Sequence, residues 1–213
     1  MIKSLKILDH KSRLRTSEEL SLRKKEFLKI CDILDQLNIE YFLQTGILLG
    51  AIREQNFVKW DWGVDISVFS EEFVDKIGFL EEKLTEAGFK ILSVNKKKDD
   101  LKIFFRGKYP LEVTGYTVFG WSYSKIKDVY WRTDYSVPSK FLDNFSKVEL
   151  FGRKFNCPNP PEEYLTFAYG DWKKPLRSSD KNLYNANIYY KKRNYFFTTI
   201  KKIKNKIYSI FNI

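Results

Sequence analysis

Apolar positions recur along this chain with two periods. In residues 16–37, Leu20, Phe27, Cys31 and Leu34 fall at helical spacing behind a Thr-x-x-Glu capping box made by Thr16 and Glu19, which predicts a helix. "IEYFL" (39–43) reads as a short strand, and "ILLGAIRE" as a short helix opened by Thr45 and Gly46. "VDISVF" (64–69) alternates with period two, as a strand with one buried face does. Ser70 is expected to cap a helix that carries Glu71 and Glu72 in its first turn and ends at Gly88. "FKILSV", "LKIFFRG" and "LEVTGYTVF" are further strands, the first two joined by the polar turn "NKKKDD". After Trp121 the pattern loosens into an aromatic-rich segment with a hairpin in "VELFGRKFNCP" and a helix in "PPEEYLTFAYG", where proline starts the helix and Gly170 ends it. The fold class expected is α+β: a mixed β-sheet flanked by helices, with a C-terminal helical, aromatic-rich subdomain. No linker interrupts residues 1–188, which read as one domain.

Residues 189–213 differ. Phe196, Ile200, Ile203, Ile207 and Ile210 line one helix face, and the segment carries seven basic residues and no acidic one. The net charge of the whole chain is +11, so only +4 remains for the preceding 188 residues. A basic amphipathic helix suits an anionic membrane surface, where apolar burial and lysine attraction to head groups add together. The same stripe suits docking on the protein's own core, and both readings stay open. A nucleic-acid tail ranks behind them because the charge excess is local.

Composition narrows the remaining choices. With 213 residues, 43% hydrophobic and 17% aromatic, the chain is folded rather than disordered. The N-terminal "MIKSLKILDHKSRLR" lacks the apolar run of a secretory signal, and no long apolar window is free of charge, so a cytoplasmic location is expected. Cys31 and Cys157 have no metal-ligand spacing, and the lone His10 argues against a histidine zinc site or a Ser-His-Asp triad.

Chemistry concentrates in "YFLQTGILLGAIREQNFVKWDWGVDISVF" (41–69). Alternation puts Asp61, Gly63, Asp65 and Ser67 on one face and Val64, Ile66 and Val68 on the other. Carboxylates gathered on one face repel each other, and holding a hard cation such as Mg²⁺ (Mn²⁺ as an alternative) together with substrate phosphate is the sensible use of them. Glu112 adds an acid to an otherwise apolar strand; a salt bridge to Arg106 is the competing explanation. Thr45 and Gly46 stand at a strand-to-helix turn, where free N–H groups favour an anion, and Arg53 lies within reach to clamp the same phosphate. The aromatics Trp121, Tyr123, Tyr130, Trp131 and Tyr135 suit either a stacking platform or core.

The order of these blocks resembles the LicD family of phosphotransferases, which includes the fukutin-type ribitol-phosphate transferases. Its "GTLLGAxR...F..WDxDxD" pattern is similar to "TGILLGAIREQNFVKWDWGVD", and its closing "YLxxxYGxxWxxP" element to "PPEEYLTFAYGDWKKP". Together they cover residues 39–175. The resemblance implies a nucleotidyltransferase-like fold and transfer of a phosphorylated alcohol, such as phosphocholine, glycerol phosphate or ribitol phosphate, from a CDP-linked donor. The implied acceptor is a sugar of a cell-surface glycan, in bacteria a capsule, lipopolysaccharide or teichoic acid; NMP transfer is the alternative reaction. By position it places Thr45 and Gly46 on the family's phosphate-binding turn, Arg53 on its arginine, Asp61 and Asp65 on its aspartates, and Glu112 on its third acid. Asp61, Asp65 and Glu112 are thereby the expected metal ligands and catalytic carboxylates. Trp60 falls on a tryptophan suited to packing.

One position departs from the pattern. Gly63 stands where the family has the first aspartate of its metal-binding Asp-x-Asp pair. Three accounts are open: Asp61 reaches into the space with help from unusual Gly63 backbone angles, Gln44 or water completes the Mg²⁺ shell, or the site has degenerated to binding. A tail resting on the inner face of the cell membrane would bring this site to lipid-linked sugar acceptors.

Overall fold

The structure is a computed structural model that describes residues 13–96, 101–109, 116–132 and 135–178. Helix α1 (Ser17–Gln36) starts where the capping box predicts. The Glu19 N–H donates to Thr16 Oγ1 at 3.3 Å, and the Thr16 N–H donates back to Glu19 Oε2 at 2.9 Å, satisfying two amides that have no partner within the helix. The buried face of α1 carries Leu20, Phe27, Ile30, Cys31, Ile33 and Leu34, and among them the arginine Arg23.

Strand β1 (Phe42–Leu43) is shorter than the apolar run suggests and leads into α2 (Thr45–Arg53). Strand β2 (Gly63–Phe69) follows, and then two helices, α3 (Ser70–Phe73) and α4 (Ile77–Glu86), where the sequence reading had one. Ser70 is not a cap: it is the first residue of α3 and is buried, with its hydroxyl bonded to that of Ser124 at 3.3 Å. The cap position belongs to Phe69, whose backbone is extended and whose side chain has no acceptor for the first-turn amides.

Strands β3 (Lys90–Asn95), β4 (Lys102–Arg106), β5 (Tyr116–Ile126), β6 (Val129–Arg132), β7 (Tyr135–Pro138), β8 (Ser146–Leu150) and β9 (Arg153–Cys157) complete the sheet, with α5 (Pro161–Tyr169) after it. The order is β3-β4-β5-β2-β1-β9-β8, with β6 and β7 continuing from β5. Neighbours β2 and β5 run parallel, as do β1 and β9, and the other pairs are antiparallel. The sheet is therefore mixed, as expected. The β6–β7 hairpin had no reading of its own in the aromatic-rich segment, whereas the β8–β9 hairpin forms where predicted, through Phe151 and Gly152, both at positive φ.

Two hydrophobic clusters cover the sheet. Val64, Ile66 and Val68 of β2 join the cluster that includes Phe27, Leu34, Leu80 and Leu84 from α1 and α4. Phe42, Leu48 and Tyr123 join the other, with Phe141, Tyr164, Leu165 and Trp172. Full burial of each aliphatic side chain contributes about 1.5–3 kcal/mol, so the period-two alternation of β2 is held mainly by the first cluster. Between Phe119 and Trp121 the β2–β5 register skips Gly120, whose φ is +86. A Cβ there would stand 2.7 Å from the Phe73 ring, so both the bulge and the packing of α3 require glycine.

Among the described residues, no helix is long and apolar enough to cross a membrane. Glu112 and residues 189–213 lie outside the described residues.

Candidate active site

The site forms where β1 turns into α2. Gln44 ends the extended segment with φ −146 and ψ 178, and Thr45 turns the chain at φ +53, an uncommon angle for a β-branched residue. The Thr45 Oγ1 is buried and has no hydrogen-bond partner among the described residues. Strain and an orphaned hydroxyl at one residue mark the start of α2 as a place where packing alone does not explain the chain.

The Asp61 carboxylate closes this corner. Its Oδ2 lies 2.2 Å from where a Cβ on Gly46 would stand, and it accepts a hydrogen bond from the Gly63 N–H. Gly46 therefore admits the carboxylate of Asp61. Gly63 is an ordinary extended residue of β2 and is not among the glycines at positive φ. The idea that Gly63 supplies unusual backbone angles is thereby corrected; what it supplies is its N–H.

Burial pushes the Asp61 carboxyl above its ordinary value. Arg23 and Arg15 draw it down, while the neighbouring charge of Asp65 raises it further. Asp65 sits two residues into β2, opposite Val118 of β5, and keeps partial exposure. The two aspartates are thus close enough to repel each other, as the alternation predicts. A hard divalent cation relieves such repulsion, and the carboxylate oxygens present are the donor type that Mg²⁺ prefers. Among the described residues, no group of three or more His, Cys, Asp or Glu could hold a metal ion, so two of the three expected ligands are in view.

Two arginines missed in the sequence hold the backbone of this loop. Arg23 Nη1 donates to the Asp61 carbonyl and Nη2 to the Trp62 carbonyl, each at 3.0 Å. Arg15 Nη1 donates to the same Asp61 carbonyl, and its Nη2 lies 3.5 Å from the Trp62 carbonyl. Arg23 is 2% exposed and Arg15 4%. The available signal was Arg23 itself, a charged residue at a stripe position between Leu20 and Phe27.

Two expected site residues are placed elsewhere. Gln44 is completely buried; its Nε2 donates to Ser67 Oγ at 2.5 Å and to the Tyr123 hydroxyl at 2.8 Å, and its Oε1 accepts from the Tyr123 and Tyr164 hydroxyls at 3.0 Å each. Its amide is saturated by protein, so it ties β1, β2, β5 and α5 together and offers nothing to a ligand. Arg53 stands at the far end of α2, about 10 Å along the axis from Gly46 by helix rise. Its Nε bonds Glu54 Oε1 and its Nη1 bonds the Trp172 carbonyl, both at 2.9 Å, with the guanidinium 5.9 Å from the Trp60 ring centroid. Arg53 therefore links the first sequence block to the second. Its Nη2 is buried and has no hydrogen-bond partner among the described residues. Of the aromatics, Tyr123 is core and Tyr130 packs on Phe69 at 5.2 Å between centroids.

A family model for the LicD/FKTN/FKRP nucleotidyltransferase domain matches residues 38–160. The chain is 23% identical over 157 residues to the ribitol 5-phosphate transferase FKRP of Mus musculus, covering 66% of this chain and 30% of that protein. It is 25% identical over 177 residues to the ribitol-5-phosphate transferase FKTN of Homo sapiens, covering 78% of this chain and 37% of that protein. The chain therefore spans between 30% and 37% of the length of these relatives. Among solved structures, the lincosamide antibiotic adenylyltransferase LnuA aligns at TM-score 0.47 and 17% identity over 74% of this chain and 89% of that one. Matched over more than half of its length, the chain belongs to the LicD/FKTN/FKRP family through its nucleotidyltransferase domain.

Proposed function

We propose that this protein is a phosphotransferase that moves a phosphorylated alcohol from a CDP-linked donor to a sugar hydroxyl of a cell-surface glycan. The observation that supports it best is the corner itself: Asp61 and Asp65 are brought together beside the start of α2, with the Asp61 carboxylate against Gly46. The named activities of the FKRP and FKTN relatives favour alcohol-phosphate transfer over other reactions of a nucleotidyltransferase domain.

Asp61 and Asp65, with Glu112 as the third ligand, would hold Mg²⁺ or Mn²⁺, which when bound supplies charge neutralisation for a diphosphate. The acceptor oxygen forms a bond to the phosphorus that carries the alcohol, and the bond from that phosphorus to the CMP oxygen breaks. The hydroxyl proton passes to a carboxylate, and CMP leaves with the electron pair of the broken bond. Asp61 suits the base role because burial raises its proton affinity, while Arg15 and Arg23 keep its ionised form accessible. Thr45 contributes a hydroxyl that has no partner among the described residues to the place where donor phosphate would approach.

Incubating the protein with CDP-choline, CDP-glycerol, CDP-ribitol and CTP, each with a sugar acceptor and with or without Mg²⁺, tests the reading. Transfer of the alcohol phosphate with release of CMP supports it. Incorporation of the nucleotide itself would replace it with nucleotidyl transfer, and no product from any donor would leave a binding protein.

A further inference from the structure

We infer that Arg15 and Arg23 are positioning residues that pin the Asp61–Trp62 peptide and so aim the Asp61 carboxylate at Gly46. The inference deepens the proposed function, because it takes Asp61 as a carboxylate of that site.

The arrangement is costly for packing alone. Two guanidiniums converge on the same two carbonyls from a helix N-terminal segment and from the core face of α1. Burial, and then the charge of the neighbouring arginine, lower their proton affinities, Arg15 to about 10 through burial and Arg13 and Arg23 to about 9 through burial and Arg15. A leucine at position 23 would continue the stripe of Leu20 and Phe27 without desolvating a charge. What leucine cannot do is donate two parallel N–H bonds, which is what Arg23 gives the Asp61 and Trp62 carbonyls at 3.0 Å.

The aromatic rings restrict the clamp further. The Arg15 guanidinium lies 5.7 Å from the Trp62 ring centroid and that of Arg23 5.5 Å from Phe57. The Arg15 N–H also donates to the Lys59 carbonyl at 3.0 Å, so the arm before α1 follows the loop at the carbonyls of Lys59, Asp61 and Trp62. With its backbone held on one side, the Asp61 side chain can meet both the Gly63 N–H and the bare Cα of Gly46.

The test replaces Arg23 by lysine, which keeps the charge and loses the fork, and follows amide hydrogen exchange of the intact protein by NMR. Arg23→Lys is expected to speed exchange of the Gly63 amide about tenfold or more while Ile66 and Val68 in the same strand stay as protected as in the wild type. Leu34→Ala, a core lesion on the same helix away from the loop, should not single out Gly63. Arg15→Lys reads the same amide if Arg23→Lys does not fold. Equal protection of Gly63 in the folded lysine variant overturns the inference, and so does acceleration of Gly63 in step with Ile66 and Val68. On an active donor, kcat should fall about tenfold or more with the donor KM within about twofold, because a misplaced carboxylate weakens the transition state rather than donor binding. Absence of turnover in the wild type would refute the proposed reaction, while the amide measurement would still decide the positioning role.

Discussion

The Oδ2 of Asp61 takes the space that a Cβ on Gly46 would fill, 2.2 Å from that point. A carboxylate and a glycine from separate parts of the chain thus define one corner. Gly46→Ala must push Asp61 off its Gly63 N–H. Displacing a buried carboxylate from its partner costs about 1–3 kcal/mol against a helix gain of at most about 1 kcal/mol, so the melting temperature should fall modestly. Mn²⁺ affinity and turnover should fall about tenfold or more, a split that calorimetry and rate measurements on the same sample would reveal. A fully active Gly46→Ala protein would mean that the Asp61 position seen here does not matter to the chemistry.

Asp65→Asn removes one of two mutually repelling carboxylates, so the fold should be retained and divalent-dependent turnover lost. Gly63→Asp restores the family pair at an extended position with ordinary backbone angles. It is expected to keep or strengthen Mn²⁺ binding, measured by titration with the metal alone; loss of binding and activity together would show that the space above Gly63 is used.

Stability should depend on pH through Asp61. Its native proton affinity is raised by burial above the ordinary value of 3.8, so between that value and the native one the folded state holds more protons than the unfolded chain. In that window its contribution increases stability as pH falls, and above it the cost of the buried charge is fully present. Asp61→Asn should remove this slope from urea unfolding measured across the acidic range. Near neutral pH the same substitution should leave stability unchanged or raise it, because the raised proton affinity of Asp61 already includes the attraction of Arg15 and Arg23 and still leaves the buried charge unfavourable.

Gln44→Leu should act on stability first. It strips hydrogen-bond partners from Ser67, Tyr123 and Tyr164 at once, and a loss of about 2–4 kcal/mol is expected in urea unfolding. Tyr164→Phe, which removes one of those bonds, should cost about 1 kcal/mol. A neutral Gln44→Leu would show that the network is not holding β1 to its neighbours.

The basic tail yields a prediction from charge and periodicity alone. Each lysine near an anionic surface contributes about 1 kcal/mol, so deleting residues 191–213 should lower binding to anionic vesicles and leave turnover on a soluble acceptor largely intact, and added salt should weaken binding of the full chain. A drop in melting temperature on deletion, without vesicle binding by the full chain, would favour a tail docked on the domain.

What the sequence determined by itself was local or periodic. The capping box at Thr16 and Glu19, the alternation of Val64, Ile66 and Val68, and the hairpin across Phe151 and Gly152 depend on neighbours a few residues away, and each is legible for that reason. The family was legible because its two blocks keep their order along the chain. Tertiary structure decided which groups face each other. Gln44 and Arg53 look like ligand residues beside Thr45 and Gly46, yet their partners come from residues 67, 123, 164 and 172, far along the chain. Arg15 and Arg23 look like ordinary helix charges, and only folding sets them on carbonyls 38 to 47 residues away. A side-chain hydrogen bond is directional and short, so its partner is fixed by the packing of whole elements, and no spacing within one segment encodes it.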